Sequence, residues 1–281
     1  MKIICDKRCV IGESPVWNEK ENILYLTNAL EKELIKLDLY TGSIDIRKVL
    51  VGISAICFNH DNRLIVSRED GVYYLNDDDS VTPLYDTEKV DIKHANDMKV
   101  GPDGRIYVGT VSGLKRGVSD ENDGKLYSID KSGQVKVLLD NLTVSNGMAW
   151  SNDGSKYYHT DSITGTIKEY DFDAINGNIS YTGKRVFLPG VDGFTIDDND
   201  NLVVTRWDDK VVCFVDTTTM QVVEQVPVPH ANPVSCCFAG TEYKDLIITT
   251  ANFDTDLTIN QNAGYTFTLK RKIGGKPPFR F

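Results

Sequence analysis

Four oxygen-bearing residues stand directly ahead of short β-forming runs in this chain: Glu13 before SPVW, Asn96 before DMKV, Asn146 before GMAW and Asp192 before GFTI. Two carboxylates and two amide carbonyls form a hard-oxygen donor set. Such a set suits one divalent cation, with water or substrate in the remaining positions. No thiolate or imidazole shares this position, which argues against a tetrahedral Cys/His zinc site. Singly, each residue is weak evidence, because Asn-Gly and Asp-Gly pairs mostly make turns. Their shared register gives them weight. Carboxylates and amides gathered without partners would be expensive to desolvate, and a bound cation is the simplest compensation.

Something must bring residues so far apart in sequence to one place, and an internal repeat can do it. Strongly β-forming runs recur as ILYLTN, RLIVSR, RIYVGT, SKYYHTD, NLVVTR and DLIITT. Turn pairs precede several of them: Asp61-Asn62, Asp103-Gly104, Asp153-Gly154 and Asn199-Asp200. A second alternating run follows each, such as GVYYLN or TIKEYDFD, and a third follows most, such as VKVLLDNL. Long helical periodicity is absent. Six units of about 47 residues, each about four short strands, predict an all-β, six-bladed β-propeller with four antiparallel strands per blade. Stacked sandwiches are the competing arrangement. The sixth unit lacks an outermost strand while the chain begins with a spare run, MKIIC, so the N-terminal strand is expected to close the ring and remove two exposed edges. Residues 1–281 then form a single propeller domain. Aligned on first strands, the six equivalent positions are Glu13, Ser54, Asn96, Asn146, Asp192 and Val234, expected to line a central channel at one height.

The 281 residues carry a net charge of −10, with 41% hydrophobic and 26% charged residues. That composition describes a globular protein and argues against nucleic acid or an anionic membrane as partner. No apolar run is long enough for a signal peptide or a membrane span, so a cytoplasmic location is expected. Cys5, Cys9, Cys57, Cys213, Cys236 and Cys237 match no zinc module and read as reduced thiols, mostly apolar fillers. The segment from Asp171 to Gly177 misses the calcium-loop spacing and reads as a hairpin loop. His60, His159 and His230 are placed in turns or strand ends. No Gly-x-Ser-x-Gly elbow is present, which removes the commonest esterase route.

From Gly12 to about residue 270 the chain resembles the regucalcin (senescence marker protein 30)/gluconolactonase family. IGESPVW and SNGMAWS carry the likeness most specifically, with ANDMKVGPDGRIYVGT, VDGFTIDDNDNLVV and PVSCCFAG beside them. The resemblance implies a six-bladed propeller holding one divalent metal (calcium, zinc, magnesium or manganese) and hydrolysing sugar or sugar-acid lactones. By motif, its ligands fall on Glu13, Asn96, Asn146 and Asp192. Asp192 is also the expected catalytic base, with Glu13 mainly a ligand. A carboxylate bound to a cation is a weaker base, so Asp192 must be loosely held or act on an acidified water. Substrate contacts are expected from Asn96, from His94 where many members carry Arg, and from Asp120 or Glu121 in the loop VSDENDG. Asn18 and Asn28 stand where relatives often have Asp. The expected partner is a small-molecule lactone, with the chain a monomer or weak homo-oligomer. Two other functions compete: a non-catalytic calcium-binding or regulatory propeller, and a phosphotriesterase-like hydrolase.

Overall fold

The computed structural model describes residues 1–281 and is nearly all-β. A leading strand β1 (Lys2–Cys5) precedes the first blade, β2 (Gly12–Asn18), β3 (Ile23–Asn28), β4 (Glu33–Asp38) and β5 (Ile44–Lys48). The second blade is β6 (Ile53–Phe58), β7 (Leu64–Arg68), β8 (Gly71–Leu75) and β9 (Val81–Pro83). The third is β10 (Ala95–Val100), β11 (Ile106–Thr110), β12 (Gly124–Ile129) and β13 (Val135–Leu142), with a one-turn helix α1 (Gly113–Arg116) between β11 and β12. The fourth is β14 (Ser145–Trp150), β15 (Lys156–Asp161), β16 (Thr166–Asp173) and β17 (Asn178–Phe187). The fifth is β18 (Val191–Ile196), β19 (Asn201–Arg206), β20 (Val211–Asp216) and β21 (Gln221–Pro227); β22 (Asn232–Ala239), β23 (Asp245–Ala251) and β24 (Thr266–Lys270) follow.

Each blade is a four-stranded antiparallel sheet, the architecture of a six-bladed β-propeller. The sixth has the order β1-β24-β23-β22, so the N-terminal run completes it, pairing Lys2 with Thr268 and Ile3 with Phe267. Six equivalent turns join first strands to second strands. Their residues of positive φ are Asn22, Asn62, Gly104, Gly154, Asp200 and, in the last turn, Gly240 and Tyr243. Asn, Asp and Gly tolerate that conformation, and Asx side chains brace the neighbouring amides: Asp153 Oδ1 accepts from Ser155 N at 2.9 Å, and Asp197 Oδ1 from Asn199 N at 2.9 Å.

The chain divides into two compact units of three blades each. Residues 1–52 and 190–278 hold the first, fifth and sixth blades; residues 53–189 and 279–281 hold the second, third and fourth. In the first unit, Trp17, Leu24, Leu26, Ile35 and Leu37 pack with Ile247, and Val203, Phe214, Phe238 and Ile248 form a second cluster. In the other unit, Ile65, Met98, Ile106 and Ile129 pack with the C-terminal Phe281, and Tyr107, Trp150, Tyr157 and Phe172 form an aromatic cluster. Second strands are buried on both faces, as in β3 and β11, whereas outermost strands such as β5 and β17 are largely exposed. The six cysteines are free thiols, five of them buried. The Asp171–Gly177 segment is the end of β16 and the hairpin turn that leads into β17, with Gly177 at φ 64°. No helix is long and apolar enough to cross a membrane.

Two expectations are corrected here. Glu13, Ser54, Asn96, Asn146 and Asp192 are not ahead of their strands; each is the second residue of one, and Val234 is the third of β22. His159 lies inside β15 and is 3% exposed, not in a turn or at a strand end.

Candidate metal and substrate site

Every first strand breaks register at the same place. The irregularity falls between Glu13 and Val16 in β2, Ile53 and Ala55 in β6, and Ala95 and Met98 in β10. It falls between Asn146 and Met148 in β14, Val191 and Phe194 in β18, and Pro233 and Ser235 in β22. All six aligned positions therefore sit at a bulge, where an extra residue leaves the ladder and its side chain is re-aimed.

In the first unit, Glu13 on β2 and Asp192 on β18 are both half-buried, and both strands pack against β22. Ser14 takes φ 46° to make the bulge beside Glu13. Gly193, after Asp192, lies so close to the next blade that a Cβ would come within 2.5 Å of Ser235 Oγ. Thr205 Oγ1 lies 2.6 Å from Gly193 O and 2.7 Å from Val234 O, tying the fifth blade to the sixth with its single proton. Behind Glu13, Asn28 uses both ends of its amide: Oδ1 accepts from Val10 N at 3.0 Å and Nδ2 donates to Glu33 Oε2 at 2.7 Å. Burial pushes the Glu33 carboxyl up, but bonds from Lys48, Asn28 and Lys7 outweigh it and hold the group below its ordinary range. An Asp at position 28 would place a second carboxylate against Glu33, so Asn is the residue this cluster accepts. Asn18 braces its turn, Oδ1 accepting from Lys20 N at 3.2 Å.

In the second unit, Asn96 and Asn146 are linked through one residue. Asn96 Nδ2 donates to Ser145 O at 3.1 Å, and the Asn96 backbone O accepts from Ser67 Oγ at 2.8 Å. The amide nitrogen being committed, Oδ1 is the end left to face a cation. Asn146 is 7% exposed, and its Oδ1 accepts from Gly147 N at 3.1 Å. Ser145 Oγ meets His159 Nε2 at 2.7 Å. Burial pushes the imidazole of His159 down to about 4, so it is neutral at pH 7. Asp161 accepts from Thr143 N at 2.8 Å and Val144 N at 3.0 Å, fixing the loop that enters β14. Sequence reading missed Ser67, Ser145, His159 and Asp161 as supports for the amides. Asp97, next to Asn96, is another unforeseen carboxylate, and burial raises its pKa.

Among the expected substrate contacts, His94 holds φ 57°, its backbone N donating to Glu69 O at 2.6 Å and its Nδ1 meeting the Glu69 carboxylate. Asp120 and Glu121 are both exposed. The Glu121 backbone is held, its N donating to Ser119 Oγ at 3.1 Å and its O accepting from Ser112 Oγ at 3.0 Å. Asp123 anchors the loop by accepting from Gly113 N at 2.7 Å, and that bond lowers its carboxyl pKa.

The donor chemistry fits a hard cation. No group of three or more His, Cys, Asp and Glu side chains that could hold a metal ion is found, so a metal held by this chain would have to draw on amide or backbone oxygens. Asn96 and Asn146 carry amide oxygens at bulges of the second unit, and Glu13 and Asp192 carry carboxylates at the equivalent bulges of the first.

A sequence model described as the SMP-30/Gluconolactonase/LRE-like region matches residues 11–252. Regucalcin of Gallus gallus is 28% identical over 297 residues, covering 100% of this chain and 98% of that protein. A Bacillus subtilis protein provisionally named sugar lactone lactonase YvrE is also 28% identical, over 98% of this chain and 96% of its own length. The crystal structure of a calcium-binding protein, regucalcin, from Agrobacterium tumefaciens superposes with a TM-score of 0.88 at 22% identity, covering 100% of this chain and 96% of that one.

Proposed function

The chain belongs to the SMP-30/gluconolactonase/LRE-like family, and on that premise we propose that it hydrolyses a sugar or sugar-acid lactone to the corresponding aldonic acid, with one divalent metal ion as cofactor. In this reading Glu13, Asn96, Asn146 and Asp192 are the metal ligands. A divalent ion held by these residues would supply Lewis acidity, polarising a carbonyl and making a nearby water more acidic. Asp192 accepts a proton from the attacking water on a carboxylate oxygen. The hydroxyl adds to the carbonyl carbon, the bond to the ring oxygen breaks, and the proton passes from Asp192 to that oxygen as it becomes an alcohol. Glu13 keeps its charge throughout. Asn96 and Asn146 orient by their amide oxygens, the former steered by its bond to Ser145 O.

One observation carries this reading: the four donors occupy equivalent bulges of four first strands in a chain of this family. The test is a pH-stat assay over a lactone panel, with and without EDTA, on the wild type and on Asp192→Ala. Turnover that vanishes with chelation and falls by about 10²- to 10⁴-fold in Asp192→Ala is expected. Intact calcium affinity with no turnover of any ester or lactone would instead mark a binding module, the property stated for the Agrobacterium relative. Aryl phosphotriesters outpacing every lactone would mark a phosphotriesterase.

A further inference from the structure

An outermost strand presents backbone groups along one open side, and such an edge recruits another strand unless something blunts it. Five of the six outermost strands here are blunted. β9 has three residues and ends in Pro83. In β13, β17, β21 and β1 the pairing to the inner neighbour is broken by an irregularity, and such breaks bend an edge away from a flat partner. β5 has neither device. It pairs with β4 from Lys48 opposite Glu33 through to Ile44 opposite Leu37 without a break. Lys48, the residue placed to guard this edge, is drawn back, its Nζ 2.8 Å from Glu33 Oε1.

The groups that β5 offers follow from its bonds to β4. Ser43 O accepts from Asp38 N at 3.0 Å, and Val49 N donates to Lys32 O at 2.9 Å. Antiparallel bonding alternates along a strand, so Asp45 and Arg47 turn their backbone groups to β4 while Ile44, Ile46 and Lys48 turn theirs outward. Ile44 and Ile46, 37% and 40% exposed, lie opposite Leu37 and Ile35 and carry the apolar face of the first blade out to its rim. Asp45 and Arg47 stand on the other face.

We propose that β5 pairs antiparallel with the β5 of a second copy of this chain, about a two-fold axis through Ile46, joining two first blades into one continuous sheet. In that register Ile46 exchanges both backbone bonds with its own counterpart, and Ile44 exchanges both with the partner's Lys48. Ile46 covers Ile46 on one face. On the other, Asp45 stands opposite the partner's Arg47 and Arg47 opposite the partner's Asp45, pairs of the kind that stabilise a sheet. Sliding the strands by two residues would set Asp45 against Asp45 or Arg47 against Arg47, so charge fixes the register. An antiparallel partner must carry its base where β5 carries its acid, and a second β5 does so by symmetry alone. That makes the occupant another copy and not an unrelated peptide. Two five-residue strands cover less than the roughly 1,200 Å² of a standard interface, so the dimer is weak, with a Kd on the order of 10–100 μM.

Sedimentation equilibrium of the full chain from about 1 to 500 μM reads the association directly. The wild type should show a monomer–dimer equilibrium. Asp45→Arg and Arg47→Asp each set like charges opposite one another, and each variant alone should raise Kd by about 10-fold or more. Mixed in equal amounts, the two variants should associate with wild-type strength, because every Arg then faces an Asp. That recovery also shows that both variants fold. A wild type that stays monomeric at the highest concentration overturns the proposal. A dimer that neither variant weakens overturns it too, since another surface then holds the copies together, as does a loss that mixing fails to restore.

Discussion

Replacing His159 by Gln should make this protein markedly more resistant to mild acid. The imidazole is 3% exposed, meets Ser145 Oγ, and has its pKa lowered by burial from 6.5 to about 4. In the unfolded chain it returns to the ordinary value, so between these two pH values the unfolded state binds the proton and the folded state does not. Stability therefore falls as pH drops from 6.5 towards 4, the direction expected when ν is larger for the unfolded chain. With those two values, the loss between pH 7 and pH 5 attributable to this one residue is about 2 kcal/mol. His159→Gln keeps an amide able to bond Ser145 but cannot titrate. Urea unfolding of both proteins at pH 7, 6 and 5 isolates the contribution, since every carboxylate titrates alike in the two chains. The wild type should lose about 2 kcal/mol more than the variant over that range. Parallel losses would show that His159 is not held neutral by burial, and the account of how Ser145 is braced would fail with it.

Two further outcomes test the bulges. Calcium at about 100 times its dissociation constant should stabilise the wild type by ~2.7 kcal/mol, and the double variant Glu13→Gln, Asp192→Asn should show no such shift in calorimetric Tm; an equal shift in both would remove these residues from the ligand set. Gly193→Ala should lower the urea midpoint, a stability loss of ~1–3 kcal/mol, because its Cβ would come within 2.5 Å of Ser235 Oγ. Adding Ser235→Gly should recover part of that loss, and an unchanged midpoint for Gly193→Ala alone would refute the close approach.

Much of the architecture is legible in local sequence. ILYLTN and NLVVTR coincide with β3 and β19 residue for residue, and VKVLLDNL with β13. Each is a run whose composition and flanking turns decide its state without reference to the rest of the chain. The spare run MKIIC was readable as a partner for the last blade because an unpaired edge on each side is a shared liability. His159 was misplaced for a physical reason. In KYYHTD all but the first residue are buried, since a second strand is covered on both faces, and two-sided burial erases the alternation that would mark the inward positions.

The sequence by itself determined the repeat and the strand count, and singled out Glu13, Asn96, Asn146 and Asp192 as equivalent positions, because turn residues, β-forming runs and their spacing are properties of neighbours along the chain. Only the tertiary structure decided that those four residues sit inside strands at bulges, and that Asn96 is steered by Ser145. It alone tied Glu69 to His94. Those facts depend on register between strands and on bonds between blades. Pairings across tens of residues leave no local trace in the order of amino acids.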